Sequence, residues 1–317
     1  MENNHAILLM AYGGPDSLND VEPYLLDVRG GRPTSPELIE EIRERYAAIG
    51  GKSPLLEITI RQARALEEAL NRKGNETFKV FIGMRHWNPY IRDAVDQIAK
   101  EGFTRVTSLC MTPFSSRLST GAYYDHLQKA IEKFSPDSVW RMQLDLSKVG
   151  AWYNHPDYVR ALADNLLDSL DIVKTDHSQA PLVIFTAHSL PAALAGQGDP
   201  YATQFATLCE LVAKEAMLQP GGWRVAYQSA GAQNTNWLGP SLEETLHELA
   251  GQGVENFLVA PVGFLCDHVE ILYDIDIEAQ KEATALGIRL ARTESLNDQP
   301  GFINALCEII LTEGKII

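Results

Sequence analysis

The sequence has few cysteines, and none of them lies in a metal-binding spacing. Its 317 residues include four cysteines, Cys110, Cys209, Cys266 and Cys307, with no C-x-x-C pair among them. Scattered cysteines provide neither a disulfide framework nor a zinc or iron–sulfur site. We therefore expect four free thiols.

The chain also lacks long apolar runs and an excess of basic residues. No apolar run approaches the ~18 residues of a membrane span, and residues 1–5 lack the basic start and apolar stretch of a signal peptide. Lys and Arg number 27 against 42 Asp and Glu, a net charge of −15. Since binding to phosphate backbones needs a basic surface, nucleic acid is not expected as a partner. We expect a cytoplasmic protein without an integral membrane segment.

Strand-like and helix-like stretches alternate along a chain that is 45% hydrophobic and 22% charged. This alternation indicates parallel sheets with crossover helices. Strands are predicted at residues 5–11, 78–84, 104–110, 138–143, 181–187, 223–228, 256–262 and 288–291. Helices are predicted at residues 17–28, 36–49, 55–72, 89–100, 120–134, 157–170, 201–217, 241–250, 268–286 and 300–311.

Four strands fall on each side of residue 150, so the chain is predicted to form two similar α/β halves. The predicted domains are residues 1–150 and 151–317, each a four-stranded parallel sheet flanked by helices. Folds of this kind place their ligand in the cleft between the halves. Whether the last helix packs back on the first half is left open.

Polar side chains follow several of the predicted strands. His188 follows the apolar run 182–185, Tyr12 follows the first strand, and Glu270 comes after the third strand of the second half. Ligands of open α/β sheets bind at the carboxyl ends of the strands. One such residue can be structural, but several directed at one cleft predict a site.

The helix after Asp267 has a carboxylate at every fourth position. The four residues share one face and are Glu270, Asp274, Glu278 and Glu282. Two interpretations stay open. The face is an ordinary solvated one, or it is a row of oxygen ligands that passes a hydrated divalent cation inward.

Basic residues cluster locally in this acidic protein, at Arg29, Arg32, Arg43, Arg45 and Lys52. Surface ion pairs with Glu40, Glu41 and Glu44 are one explanation. The other is that one or two of the arginines bind an anionic substrate, because guanidinium binds carboxylates in a fork. The residues alone thus predict a two-lobed α/β protein that handles a divalent metal and an anionic small molecule, with the reaction unnamed.

Several separate motifs, in order along nearly the whole chain, resemble the ferrochelatases. The most specific are residues 183–191 (VIFTAHSLP) and 267–274 (DHVEILYD). The others are 11–15 (AYGGP), 45–46 (RY), 49–55 (IGGKSPL), 198–201 (GDPY), 228–229 (QS), 237–240 (WLGP) and 261–264 (PVGF). Tyr227 and Ala230 depart from the pattern, which has Trp and an acidic residue beside the QS pair.

The resemblance implies two Rossmann-like halves and the insertion of Fe²⁺ into a porphyrin with release of two protons. His188 and Glu270 match the family's metal-site pair, with Asp274 and Glu278 as an outer row. Tyr12 is similar to the axial iron ligand of the coproporphyrin III branch from Gram-positive bacteria. The positions that match substrate contacts of that branch are Arg29, Arg45, Tyr46, Ser53 and Tyr124.

The same resemblance sets the expected ligands and the alternatives. Porphyrin and Fe²⁺ are the expected substrates, with no further cofactor and no iron–sulfur cluster, since a cysteine-rich carboxyl tail is absent. A transient partner in haem synthesis is left open. The alternatives are a protoporphyrin IX ferrochelatase, a chelatase for cobalt or sirohydrochlorin, and a non-catalytic haem or porphyrin carrier. His188 is expected to act as proton acceptor, metal ligand or both.

Overall fold

The computed structural model describes residues 4–73, 76–176, 180–231 and 236–313. Residues 1–3, which belong to the amino-terminal stretch considered above, lie outside this part. The strands are β1 Asn4–Ala11, β2 Thr77–Met84, β3 Arg105–Cys110, β4 Asp145–Lys148, β5 Leu182–His188, β6 Trp223–Gln228, β7 Asn256–Ala260 and β8 Arg289–Arg292. None of the described helices is long and apolar enough to cross a membrane.

The helices alternate with these strands. They are α1 Val21–Val28, α2 Pro36–Ala48, α3 Leu55–Lys73, α4 Ile91–Lys100, α5 Ala122–Glu132, α6 Val139–Gln143, α7 Pro156–Asp176, α8 Tyr201–Glu215, α9 Leu242–Gly251, α10 Val269–Leu272, α11 Gln280–Leu286 and α12 Pro300–Glu313. Short 3-10 turns occupy Leu18–Asp20 and Ala192–Gln197, and π-helical turns occupy Arg117–Gly121 and Asp274–Ala279.

The chain divides into two compact units. Unit 1 runs to Trp152 and resumes at Asn297, and unit 2 is Tyr153–Leu296. The last helix, α12, belongs to unit 1, where it packs on α3. The Nε2 amide of Gln62 in α3 donates to the carbonyl of Asn297 over 2.8 Å, which fixes the start of this return segment.

Each unit contains one four-stranded sheet in which all neighbours are parallel, as predicted. The order is β2-β1-β3-β4 in unit 1 and β6-β5-β7-β8 in unit 2. In both units the first strand of the sequence pairs with the second on one side and the third on the other. The chain therefore reverses its winding beside that first strand, and ligands of open α/β sheets bind at this position, beyond the carboxyl ends of the strands.

The central strands are buried on both faces, which explains their nearly continuous apolar sequences. Residues 6–10 of β1 and residues 184–185 of β5 are fully buried. Burial of a large apolar side chain stabilises a protein by about 1.5–3 kcal/mol. Both first strands are thus firmly held, and so is the point at which each one ends.

Local sequence signals explain several helix boundaries. The Ser35 hydroxyl accepts the Leu38 N–H over 3.3 Å at the start of α2, with Pro36 in the first turn, as predicted. Ser241 and Glu244 form a capping box on α9 with bonds of 3.0 and 2.8 Å. The four cysteines are free and buried, which confirms the expected thiols.

The predicted strand at 138–143 is wrong. Ser138 caps a short helix, α6, by accepting the Arg141 N–H, and Trp140 anchors it by donating to the Phe103 carbonyl over 2.7 Å. The actual strand, β4, comes just afterwards at the sheet edge, and its residues are exposed or half-buried. An edge strand of polar residues lacks the apolar run on which the prediction depended.

The long helix predicted at 268–286 is also not one α-helix. It begins as α10, continues as the π-helical turn Asp274–Ala279 and ends as α11. The Glu278 N–H donates to the Tyr273 carbonyl over 2.9 Å, a bond between residues five apart. Periodicity alone did not reveal this wider turn, because the core residues Ile275 and Ala279 keep helical spacing.

We predict that Gly263→Ala destabilises unit 2. The Gly263 N–H donates to the Thr186 carbonyl over 3.0 Å, and an added Cβ would lie 2.7 Å from the Cα of Ala187. Because that contact is with backbone, β5 must shift, and overpacking of this kind costs about 1–3 kcal/mol. The melting temperature should fall by several degrees. Gly251→Ala in α9 is the control, since its Cβ meets nothing within 4 Å, and equal melting temperatures would contradict the prediction.

Candidate functional site

In unit 2, an imidazole and a carboxylate meet beyond the ends of two neighbouring strands. His188 is the last residue of β5, and Glu270 lies in α10, shortly after β7. β5 and β7 are paired side by side, with Phe185 opposite Ala260. The His188 Nε2 lies 3.5 Å from the Glu270 Oε1, and each side chain is about one-third exposed, at 34% and 32%.

The hydrogen bonds of His188 determine which ring nitrogen has a free lone pair. Its Nδ1 bonds the Ser189 carbonyl oxygen, which can only accept, so Nδ1 donates the proton. In the neutral ring the Nε2 is then an unprotonated acceptor facing the Glu270 carboxylate. Two acceptors at this distance repel each other unless a proton or a cation lies between them.

The separation of the pair fits a divalent cation. With metal–nitrogen and metal–oxygen distances of about 2.1 Å and a tetrahedral angle, two ligand atoms lie about 3.4 Å apart. The observed distance is 3.5 Å. The site can therefore hold a cation with little rearrangement, and the Nε2 can equally accept a proton when no cation is bound.

Backbone anchors hold both members of the pair. The buried Tyr201 hydroxyl donates to the His188 carbonyl over 2.8 Å, and the Gln228 Nε2 amide donates to the Glu270 carbonyl over 2.7 Å. The Glu270 N–H donates to the His268 Nδ1 over 3.1 Å, which caps α10. Burial lowers the pKa of His268 and raises that of Tyr201, so His268 stays neutral and Tyr201 stays a donor.

The four carboxylates of the row differ in exposure and in their partners. Asp274 is half-buried and accepts a hydrogen bond from the Ser229 hydroxyl, while Glu278 is exposed. Glu282 is half-buried and pairs with His247. The structure thus favours neither a purely solvated face nor a uniform row.

In unit 1, Tyr12 follows β1 and lies on a buried histidine. The Tyr12 ring is 41% exposed, and its centroid lies 4.8 Å from that of His86. The His86 Nδ1 lies 2.7 Å from the Asp27 Oδ1, so it donates to this carboxylate. The Arg85 guanidinium lies 6.0 Å from the Tyr12 ring. One face of Tyr12 is therefore fixed by a held imidazole.

Two other predicted residues meet beside the turn that follows Tyr12. Tyr46 and Ser53 are both buried, and a Cβ on Gly14 would lie 2.5 Å from the Ser53 Oγ and 3.7 Å from the Tyr46 hydroxyl. The Ser53 N–H donates to the Pro15 carbonyl over 2.9 Å. Gly14 thus permits close packing of the turn on both hydroxyl groups.

The basic cluster separates into paired and unpaired members. Arg43, Arg45 and Lys52 have carboxylate partners at 2.5, 3.1 and 2.5 Å, as the surface-pair explanation requires. The Nε–H of Arg29 is buried and finds no acceptor within the described ranges. Arg29 is therefore best placed to bind an added anion.

The Tyr124 hydroxyl forms a hydrogen bond within unit 1. Tyr124 lies in α5, and its hydroxyl donates to the Val149 carbonyl over 2.5 Å.

Sequence reasoning missed Asp27, Tyr201, Gln228 and Ser229 as supports of the site. The QS and GDPY motifs contain three of them, but only the structure reveals the groups that they bind, which are two backbone carbonyls and the Asp274 carboxylate.

Comparison with known proteins identifies relatives that match nearly the whole chain. The family model described as Ferrochelatase matches residues 4–313. A ferrochelatase of Herpetosiphon aurantiacus is 37% identical over 310 residues, 98% of this chain and 99% of that protein. A ferrochelatase of Deinococcus radiodurans is 40% identical over 304 residues, 96% of this chain and 94% of that protein.

Other relatives have a more specific name. A coproporphyrin III ferrochelatase of Bacillus subtilis is 36% identical over 307 residues, 96% of both chains. Among solved structures, the sirohydrochlorin chelatase of Bacillus subtilis subspecies spizizenii in complex with cobalt has a TM-score of 0.56 at 14% identity, covering 99% of this chain and 96% of that one. At such low identity the structural likeness supports the fold alone.

We predict that Tyr201→Phe weakens divalent-cation binding at the pair. Each of the buried hydroxyls of Tyr201 and Tyr158 donates to a backbone carbonyl, of His188 and Val262 respectively. Loss of either bond should cost about 0.5–1.5 kcal/mol of stability. Only Tyr201→Phe should also lower Co²⁺ affinity, several-fold, because it frees the backbone of His188. Unfolding and Co²⁺ absorbance titrations measure the two effects, and equal Co²⁺ affinity of both variants would contradict a positioning role.

Proposed function

This chain belongs to the ferrochelatase family, which inserts metal into porphyrins, and from that premise we propose that it inserts Fe²⁺ into coproporphyrin III to give coproheme. The observation that supports it most is the pair of facing acceptors, His188 Nε2 and Glu270 Oε1, 3.5 Å apart. Iron is here a substrate. The site must bind it, release it to the macrocycle and receive the protons that leave.

We assign the roles within unit 2 as follows. Glu270 and the His188 Nε2 hold Fe²⁺ before transfer. As the cation passes to the macrocycle, the freed Nε2 accepts one pyrrole proton and the freed Glu270 carboxylate accepts the other. Two N–H protons leave the porphyrin for each Fe²⁺ that enters, so charge balances. Asp274 and Glu278 form the outer row through which the cation approaches.

We assign the porphyrin contacts to unit 1. Arg29 binds a propionate through its buried, unpaired Nε–H, since charge-assisted bonds of guanidinium to carboxylate are strong. Arg45, Tyr46, Ser53 and Tyr124 complete the substrate contacts. Tyr12, exposed on one face and fixed by His86 on the other, supplies the axial oxygen to product iron.

The choice of coproporphyrin III over protoporphyrin IX depends on charge. Coproporphyrin III has a propionate wherever protoporphyrin IX has a vinyl group. A basic side chain beside that position can therefore form an ion pair with coproporphyrin III but not with protoporphyrin IX. The Bacillus subtilis relative is named a coproporphyrin III ferrochelatase, which supports the same choice. No iron–sulfur cluster enters this proposal, and the four thiols are buried.

We predict that the protein inserts Fe²⁺ into coproporphyrin III with a kcat/KM at least about tenfold above that for protoporphyrin IX, a difference of about 1.4 kcal/mol. Anaerobic absorbance assays with each porphyrin measure this ratio. Arg29→Leu should reduce the ratio, whereas Arg43→Leu should not, because Arg43 pairs with Glu40. A preference for protoporphyrin IX would contradict the substrate assignment, and binding of either porphyrin without insertion would indicate a carrier.

We predict that His188→Ala abolishes insertion but keeps porphyrin binding. The variant loses both a metal ligand and a proton acceptor, and loss of general base catalysis alone costs about 10²–10⁴ in rate. Insertion is measured by absorbance and porphyrin binding by fluorescence quenching. His155→Ala, at a half-buried histidine before α7 in the same unit, is the control. Substantial turnover by His188→Ala would mean that His188 is structural.

A further inference from the structure

Three metal-ligating side chains of unit 2 meet outside the site described above. Glu243 and His247 belong to α9, and Glu282 belongs to α11. One ligand atom from each lies within 4.8 Å of the other two. The His247 Nε2 lies 2.5 Å from the Glu282 Oε1.

The helices hold these side chains in place through the core beneath them. Glu243 and His247 are four apart, so they share a face of α9, and each directly follows a buried leucine, Leu242 or Leu246. Glu282 directly precedes the buried Ala283 on α11, and α9 packs against α11. The three side chains therefore lie at the solvent-facing edge of the contact between α9 and α11, and the two packed helices fix the separation of their backbones.

The charges of the cluster are not balanced by basic side chains. Within the described ranges, neither Glu243 nor Glu282 forms an ion pair with a lysine or arginine, and the imidazole of His247 bonds one of the two carboxylates. Two carboxylates are thus held close together with at most one proton between them. A bound cation would relieve this repulsion.

The donor set indicates which cation. One imidazole nitrogen and two carboxylate oxygens suit borderline first-row cations such as Zn²⁺, Co²⁺ and Fe²⁺, whereas Mg²⁺ prefers oxygen ligands alone. Three protein ligands leave the remaining positions to water, as in catalytic zinc sites. The exposure of Glu243 and His247 gives solvent this access.

We propose that Glu243, His247 and Glu282 form a second divalent-cation site that captures the substrate cation from solvent. Glu282 is the last carboxylate of the row that begins at Glu270, twelve positions earlier in the chain. The intake role depends on the proposed function, whereas cation binding at the cluster does not.

Binding is tested by Co²⁺ titration, followed by visible absorption, in a His188→Ala background that removes the inner pair. This protein should still bind Co²⁺, Zn²⁺ should displace it and Mg²⁺ should not. A further His247→Ala or Glu282→Gln change should weaken Co²⁺ binding at least tenfold. Glu248→Gln, an equal charge change one position along α9, should leave it unaltered. Co²⁺ affinity that His247→Ala does not change would overturn the site.

The intake role is tested by insertion kinetics with His188 intact. His247→Ala should raise KM for the metal several-fold and leave kcat and KM for the porphyrin unchanged, because the inner pair and the porphyrin contacts are untouched. An unchanged metal KM would overturn the intake role. If the unaltered protein inserts no metal, the proposed function and the intake role both fail, and the Co²⁺ titration still decides whether the cluster binds a cation.

Discussion

The structure of the candidate site depends on two acceptors, the His188 Nε2 and the Glu270 Oε1, that face each other 3.5 Å apart. Two acceptors this close repel each other unless a proton or a cation joins them, so the surrounding protein has to hold them in place. β5 and β7 do this by lying side by side as buried parallel strands, which brings the ends of both to one point. The tyrosine and amide bonds to the carbonyls of His188 and Glu270 then fix the backbone of each partner. The stability of the sheet thereby offsets the repulsion between the His188 and Glu270 acceptor atoms.

The π-helical turn affects how well the four carboxylates of the row align on one side of the helical segment, which the sequence pattern does not reveal. In a regular α-helix each step of four residues overshoots a full turn by about 40°, so a row of four carboxylates would wind around the helix. A π-turn bonds residues five apart, as Glu278 and Tyr273 do, so a step of four falls short of a turn instead. The excess rotation in the α-helical steps and the deficit in the π-helical step therefore oppose each other. The row from Glu270 to Glu282 is therefore kept closer to one side than regular α-helical geometry allows.

Sequence reasoning predicted the features that depend on long apolar runs and on strong local signals. The parallel sheets, the capped start of α2 and the presentation of His188 at a strand end all belong to this class. It failed where the deciding contacts are distant in sequence. The edge strand β4 has no apolar run, and the supporting roles of Tyr201 and Asp27 depend on partners 13 and 59 residues away. The unpaired Nε–H of Arg29 became visible only when burial was known.

Incomplete coordination is what a transferring site requires. Structural zinc sites surround their ion with four protein ligands and hold it permanently, whereas His188 and Glu270 offer one ligand each and remain about one-third exposed. A cation bound by two ligands keeps several waters and can exchange them for pyrrole nitrogens one at a time. Such a site cannot select iron by affinity, because nitrogen and oxygen donors follow the general order of divalent metals. Under the proposed function, selection of the metal then has to come from its supply and from the macrocycle, and the role of the pair is delivery.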